Sequence, residues 1–442
     1  MKISDLKDKN IAIWGLGVEG KAVLKKLNEE YPNKNITIIN DSDAPQDKDK
    51  DGRNIYILKL LKDMDIVIRS PGVSIYKPEI IYAKKEYNTV VITEKTLFFS
   101  EIEDSNVKTI AITGTKGKTT TSTFCAYLLE KLGYKTLLVG NMGIPSLELV
   151  EQAKNSDFVI IETSSYQASD LLSFPKTAIL LNLFHDHVAW HLTYENYYKD
   201  KINLLSGAKY KIVNGINERS MEYTQQFEDR ILFNTDNTIH YNDGYFYDAD
   251  KKLFSTKNMK LFGEHNYQNL CSVLTALKIN GIDLNNLKQE FFDNFNPVEH
   301  RLEIIKKNNI IFVNDSISTI PEASIACFNA FKDKNIYAIL GGYDKKNDMQ
   351  ELINYISTHK NIKFIALIGD VKDKLANLLK EKKYTNFTIC NNMQESVDLL
   401  YNKAILDSNA IITMSPAHAS YGLYKNFEER GRDFKNIVNK IS

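Results

Sequence analysis

The sequence predicts an α/β protein built from three domains, and three observations carry that expectation. The chain has 442 residues, and at roughly 150 residues per domain this length suggests about three separate cores. Short β-branched runs alternate with helical patterns along the chain, as in parallel strands joined by helices. Two of those runs lead into glycine-bearing turns that open helices, "WGLGVEG" at 14–20 and "TGTKGKTTT" at 113–121. Such turns present backbone N–H groups to anions.

The elements follow in order. "NIAIWG", "NITIIN", "MDIVIRS" and "TVVIT" read as strands, with "EGKAVLKKLNEEY" helical between the first two. The charged, turn-rich "DSDAPQDKDKDGR" (41–53) reads as a loop. A second block opens on the strand "KTIAITG", continues with the helix "TSTFCAYLLEKLG", and adds the strands "KTLLVG", "DFVIIET" and "TAILLN". Residues 208–260 carry shorter strand and turn signals, and "GEHNYQNLCSVLTALKING" reads as a loop and a buried helix. The last block repeats the α/β rhythm with "IIFVND", "IYAILGG", "FIALIG", "FTIC" and "AIITMSP". Polar stretches near 100–106 and 294–303 mark the boundaries, so the expected domains are 1–103, 104–298 and 299–442.

Charge and cysteine usage exclude several classes. Lys+Arg and Asp+Glu both number 56, so no bulk electrostatic grip on nucleic acid or anionic membrane is expected. No apolar run approaches the roughly 18 residues of a membrane span, and "MKISDLKDKN" has no apolar signal region. Cys125, Cys271, Cys327 and Cys390 are far apart and form no CxxC, which fits a reduced compartment. A cytoplasmic protein is expected.

The central turn is the densest signal. The strict GxxxxGK[ST] spacing fails, because Ile112 stands where the first glycine belongs. The physics survives the changed spacing. Gly114, Thr115, Lys116, Gly117, Lys118, Thr119 and Thr120 lie between an apolar strand and a helix. Loop amides and the helix N-terminus favour an anion. Lys118 can reach β/γ-phosphates, and Thr119 or Thr120 can hold Mg²⁺. The N-terminal turn, GxGxxG at Gly15, Gly17 and Gly20 with Asp41 about 20 residues beyond, points more weakly to a dinucleotide.

"TGTKGKTTT" resembles the ATP loop of the Mur ligase family and is similar to that of folylpolyglutamate synthases. Both activate a carboxylate as an acyl phosphate, which an amine then attacks. The resemblance implies a central P-loop-type ATPase domain flanked by Rossmann-like domains, the N-terminal one nucleotide-binding. It implies catalytic roles for Lys118, Glu162 of "IIETSSYQ", His187 of "LLNLFHDHVAWH" (with Asn182 and Asp186), and Lys201 of "YENYYKDKINLL". In the family the matching lysine is carbamylated by CO₂, so Thr119, Glu162, His187 and carbamylated Lys201 become the expected ligands of two Mg²⁺ ions. Asn266 and Asn269 of "GEHNYQN", Arg301 of "EHRLE" and Asp315 of "NDS" become expected ATP contacts.

The N-terminal block separates the branches. About 110 residues precede the ATP loop, and folylpolyglutamate synthases lack such a block. In the D-glutamate-adding branch a similar block holds the uridine diphosphate of the substrate. The implied contacts are Gly15, Gly17, Val18, Glu19, Asp41, Ser42, Ser70, Asn141, Ser164 and Gln167. "MSPAHASYGLYKNFEERGRDF" is very similar to that branch's C-terminal signature, which assigns Thr319, Lys345, Ser420 and Phe427 to glutamate. The implied substrates are ATP, UDP-N-acetylmuramoyl-L-alanine and glutamate, and a monomer is expected. One segment departs from the family. In "NDSISTIPEAS", Ile317 stands where a lysine is usual and Ile320 where an asparagine is, and Pro321 can reshape the loop. L-Glutamate or another amino acid therefore stays open as the acceptor. A non-catalytic dinucleotide-binding module would leave Glu162, His187 and Arg301 unexplained.

Overall fold

The computed structural model describes residues 1–140, 144–296, 299–345 and 348–441. The chain divides into two compact units, Met1–Thr256 with Gln268–Phe291, and Lys257–Tyr267 with Phe292–Ser442. Among the described residues the strands form four sheets.

In the first unit, β1 (Ile11–Trp14), β2 (Ile36–Ile39), β3 (Ile66–Arg69) and β4 (Val90–Ile92) form a parallel sheet in the order β2-β1-β3-β4. The second sheet takes β5 (Lys108–Thr113), β6 (Thr136–Val139), β7 (Phe158–Glu162), β8 (Thr177–Leu180), β9 (Tyr210–Asn214) and β10 (Arg230–Phe233) in the order β10-β9-β8-β5-β7-β6. Its paired strands are parallel throughout. β1, β3, β7 and β8 are buried along their whole length, as expected for parallel strands covered on both faces. A small antiparallel sheet of β11 (Ile239–Asn242), β12 (Tyr245–Asp248) and β13 (Lys251–Ser255) follows, where the sequence shows short strand and turn signals.

The second unit holds β14 (Glu303–Lys307), β15 (Ile310–Asn314), β16 (Asn335–Gly341), β17 (Ile362–Ile368), β18 (Phe387–Ile389) and β19 (Ala410–Met414), ordered β14-β15-β19-β16-β17-β18. β14 pairs antiparallel with β15. It is the one strand of this sheet that the parallel rhythm does not anticipate, because "EIIKK" joins the next strand through a tight turn rather than a helix.

Two of these sheets reverse their strand order where the sequence places a glycine turn. In the second sheet, β5 has β7 on one side and β8 on the other. In the first, β1 lies between β2 and β3. A ligand in an open α/β sheet binds outside the carboxyl ends of the strands at such a reversal. Side-chain caps fix several helix starts, with Thr193 accepting from Asn196 N and Asn426 from Glu429 N. No helix among the described residues is long and apolar enough to cross a membrane.

Candidate active site

The phosphate loop leaves the carboxyl end of β5 and enters the helix Lys118–Lys131. Gly117 is the N-cap at φ +90°, and a Cβ there would meet Asn269 Nδ2 at 2.3 Å. Both the left-handed backbone and the close approach exclude a side chain. The loop is pinned from β8. Asn182 Oδ1 accepts from Lys116 N at 2.9 Å, and its Nδ2 donates to Lys116 O at 3.0 Å. Thr115 Oγ1 accepts from Phe184 N at 3.0 Å and from Tyr197 Oη at 2.9 Å. Asn182 and Thr115 therefore hold the loop's shape.

Three of the expected catalytic residues converge here. Lys118 Nζ donates to Gly114 O at 2.9 Å, and the buried Lys201 Nζ donates to the same carbonyl at 3.1 Å. Thr119 Oγ1 donates to Glu162 Oε1 at 3.1 Å. Glu162 is buried, and its Oε2 has no hydrogen-bond partner. Burial, with Lys118 close by, pushes the Lys201 ammonium well below the usual lysine range. Its side chain lies over the Tyr197 ring, 4.9 Å from the centroid.

His187 is the N-cap of the short helix Val188–His191, at φ +53°. Its Nδ1 pairs with Tyr166 Oη at 2.8 Å, and its Nε2 faces Asp186 Oδ2 at 3.6 Å. Burial and the neighbouring lysines Lys201, Lys118 and Lys116 push its pKa down to about 4, against the pull of Asp186. Asp186 also pairs with Lys116 Nζ at 3.6 Å. Among the described residues no group of three or more His, Cys, Asp or Glu forms a preformed metal cage. Mg²⁺ needs none, since it usually takes one or two carboxylates plus phosphate oxygens and water. The Thr119 hydroxyl and the unpartnered Glu162 oxygen fit that demand.

The N-terminal turn is similarly built. Gly20 packs the helix Val18–Glu30 on the turn, and a Cβ there would meet Gly15 O at 2.1 Å. Ser70 Oγ donates to Gly15 O at 2.6 Å. Asp41 accepts from Trp14 Nε1 at 3.2 Å and pairs with Lys77 Nζ at 3.1 Å. Glu19 Oε1 accepts from Gln167 Nε2 at 2.5 Å, and Gln167 Oε1 accepts from Ser164 N and Oγ. This brings Glu19 to Ser164 and Gln167, which lie more than 140 positions further along the chain. Burial and Glu94 push the Glu19 carboxyl up. Val18 is exposed, and Ser42 Oγ donates to Asp43. Gly17 is the N-cap of the helix, in extended backbone near Ser70. Asn141 lies outside the described residues.

Sequence reasoning missed Arg69. The side chain is buried and forms a two-pronged pair with Asp170, at 2.7 Å from Nε and 2.8 Å from Nη2. Its Nη2 also donates to Tyr166 O and Ser169 Oγ. A charged residue closing the apolar run "IVIR" was the available signal.

The second unit carries Asn266, Arg301 and Asp315, and the expected glutamate contacts. Asn266 Nδ2 donates to Phe262 O at 2.6 Å. Asp315 follows β15 and is fully buried, accepting from Ser318 Oγ at 2.5 Å, Ser415 Oγ at 2.8 Å and Leu302 N at 3.2 Å. Arg430, also missed from sequence, donates to Ser316 Oγ and Ser316 O and to His418 O. It thereby ties the Ile317–Ile320 segment to the strand end before Ser420. Ser316 Oγ donates to Phe427 O at 2.7 Å. Tyr343 N donates to Ala419 O at 2.9 Å, and Lys345 Nζ lies 5.4 Å from the Tyr421 ring. Ser420 and Lys345 therefore sit on adjoining loops. Thr319 lies in the turn before the helix Pro321–Ala330.

Burial pushes Asp315 up to about 6, and its hydrogen bonds only partly offset this. An Asp whose folded pKa exceeds its unfolded value loses stability as pH rises between the two, here from about 4 to about 6. Asp315→Asn is therefore expected to raise the stability of the second unit near neutral pH by about 1–3 kcal/mol, with the gain vanishing towards pH ~4. Thermal denaturation of both proteins at the two pH values checks this. A gain of equal size at both would count against the burial argument.

A glycine-bearing loop at a sheet reversal, with a lysine, a hydroxyl and a buried carboxylate around it, defines a nucleotide-binding α/β enzyme class. The comparisons narrow the class. The family model of the Mur ligase middle domain matches residues 112–277. A UDP-N-acetylmuramoyl-L-alanine--L-glutamate ligase of Xanthomonas euvesicatoria pv. vesicatoria is 30% identical, over 99% of this chain and 97% of its own. A UDP-N-acetylmuramoylalanine--D-glutamate ligase of Acetivibrio thermocellus is 31% identical over the same shares. Among solved structures, the UDP-N-acetylmuramate-alanine ligase of Thermotoga maritima superposes with a TM-score of 0.58 at 16% identity, covering 97% of this chain and 98% of its own. The chain belongs to the Mur ligase family, and it is an amide-bond-forming ligase.

Proposed function

We propose that this ligase uses ATP to join the amine of glutamate to the alanine carboxylate of UDP-N-acetylmuramoyl-L-alanine, in peptidoglycan precursor synthesis. The observation that carries the reading is the convergence of Lys118, Thr119, Glu162 and Lys201 on one phosphate loop. The alanine carboxylate oxygen attacks the γ-phosphorus of ATP as the bond to the β-phosphate oxygen breaks, giving an acyl phosphate and ADP. The glutamate nitrogen then attacks the acyl carbon, phosphate leaves with the C–O bond pair, and the amine loses a proton. Lys118 and the loop amides hold the phosphates, an electrostatic task rather than a covalent one.

Two Mg²⁺ ions held by Thr119, Glu162, His187 and carbamylated Lys201 would neutralise charge on the phosphate oxygens. The depressed basicity of Lys201 supports the carbamate. A neutral amine attacks CO₂, forming the N–C bond and releasing one proton, and the product is an anionic oxygen donor. The domains are read as 1–103 for the uridine-nucleotide substrate, 104–298 for ATP and 299–442 for the amino acid. Gly15, Gly17, Val18, Glu19, Asp41, Ser42, Ser70, Asn141, Ser164 and Gln167 serve the first substrate. Thr319, Lys345, Ser420 and Phe427 serve glutamate. The working form is a cytoplasmic monomer.

D-Glutamate is the favoured acceptor, on the C-terminal signature. L-Glutamate is a second reading, favoured by Ile317 and Ile320 and by similarity to ligases named for that isomer. Phosphate release with ATP, Mg²⁺ and UDP-N-acetylmuramoyl-L-alanine, comparing the two isomers, decides between them. Turnover with D-glutamate alone is expected; turnover with L-glutamate alone moves the specificity change to the Ile317–Ile320 segment, and silence with both rejects the acceptor.

A further inference from the structure

A buried polar chain lies beside Lys201 and has no part in the chemistry above. Tyr76 Oη donates to Asp200 Oδ1 at 3.0 Å. Asp200 Oδ2 pairs with His191 Nδ1 at 2.6 Å, and His191 Nε2 pairs with Ser165 Oγ at 3.0 Å. A proton on Nδ1 serves the carboxylate, and Nε2 meets the serine hydroxyl, which can donate or accept. The His191 ring is held by Tyr166, stacked with centroids 5.4 Å apart, and by Trp190 and Tyr197 at 4.4 and 5.1 Å. Ser165, His191 and Asp200 are all buried, with His191 at 0% exposure. The order Ser–His–Asp has the look of a nucleophilic triad, but a serine with no access to substrate cannot attack one.

The chain's anchor points explain it better. Asp200 immediately precedes Lys201 on the helix Tyr194–Ile202. Ser165 opens the short helical turn Ser165–Ala168 that follows Glu162, is capped by Ser164 and carries Gln167. Tyr76 comes from the segment after β3. Tyr197, Tyr198 and Ile202 also pack this helix, and Tyr197 Oη and Tyr198 Oη tie it to Thr115 Oγ1 and His185 Nδ1, but Asp200 is the anchor next to Lys201 itself. Hydrogen bonds to both carboxylate oxygens of Asp200 are directional. Because Asp200 and Lys201 are neighbours on one helix, the rotation that seats the carboxylate also aims Lys201 Nζ at the Gly114 carbonyl.

We propose that the Tyr76–Asp200–His191–Ser165 chain is a positioning device that sets the rotation of the Lys201 helix, and so places the Lys201 side chain at the phosphate loop in register with the turn after Glu162. The proposal rests on the reading of Lys201 as a carbamate-bearing residue. Asp200 and His191 are positioning residues, since neither touches the phosphate loop.

The test is ¹³C NMR of the full-length protein in ¹³C-bicarbonate, with the carbamate signal assigned by its loss in Lys201→Ala and scaled per folded molecule below the melting transition. Steady-state kinetics run beside it. In Asp200→Asn the signal and kcat are each expected to fall about 10–100-fold, the range for residues that orient a ligand through a hydrogen bond, with KM for ATP within about threefold. Tyr76→Phe and Ser165→Ala, which delete single hydroxyls at the two ends, are expected to lower both in the same direction and keep the protein usable if Asp200→Asn does not fold. A merely structural role would lower the melting temperature and leave the signal per folded molecule unchanged, which overturns the proposal. Absence of the signal from the active wild-type protein overturns the carbamate reading and the proposal with it. A wild-type signal that survives in all three variants overturns the proposal alone.

Discussion

Lys118→Ala is expected to lower the rate of ATP-dependent phosphate release by about 10²–10³-fold, a barrier increase of about 3–4 kcal/mol. The lysine heads the helix that receives the phosphates, and its ammonium is the charge that can follow the transferring group. The present bonds from Nζ to Gly114 O and Thr115 O show it folded back on its own loop. Its removal should spare the fold. Gly114 O keeps the bond from Lys201, while Asn182 and Tyr197 continue to hold Lys116 and Thr115. The decisive comparison is kcat/KM beside the melting temperature. A near-normal rate would refute the role of Lys118, and a collapse of both quantities would make it structural.

Lys201→Ala is expected to cost about 10²-fold or more in kcat, by analogy with the loss of a preorganised electrostatic group, and to recover part of it when short carboxylates such as formate or acetate are added. Truncation removes a fully buried side chain and leaves a space beside Gly114 that a small anion can enter. Rescue should grow with carboxylate concentration and fail with chloride at matched ionic strength. If the variant has ordinary activity, or if carboxylates do nothing while folding is intact, the carbamate is not what Lys201 supplies. Lys118→Ala offers the control, because a carboxylate cannot replace its cation.

These two residues were legible in the sequence for different reasons. Lys118 announces itself locally: an apolar strand, two glycines, the lysine and two hydroxyls fall within one short run ending at Thr120. Lys201 does not. On an amphipathic helix it reads as one more solvent-facing lysine, and only its likeness to a family singled it out. Its burial and its bond across 87 positions to Gly114 O are visible only in three dimensions. Arg69 and Arg430 were missed for the same reason. A buried guanidinium looks like a surface one until its partners are known, and those partners lie about 100 residues away. Asn269 was anticipated as a nucleotide contact, but its closeness to Gly117 was not, although that closeness adds to the left-handed backbone in disfavouring a side chain there.

By itself the sequence determined most of the parallel strands, helices that join them and the two glycine turns, but not β14. Periodicity, glycine's access to positive φ and helix-end electrostatics all act within a dozen residues. Only the tertiary structure decided which polar groups meet. The crossovers that set β8 and β7 on either side of β5 bring Asn182 and Glu162 to one loop. Tyr76, from the segment after β3, meets Asp200 across 124 positions. A hydrogen bond needs its partners within about 3 Å and aligned, and no local rule along the chain specifies such a meeting.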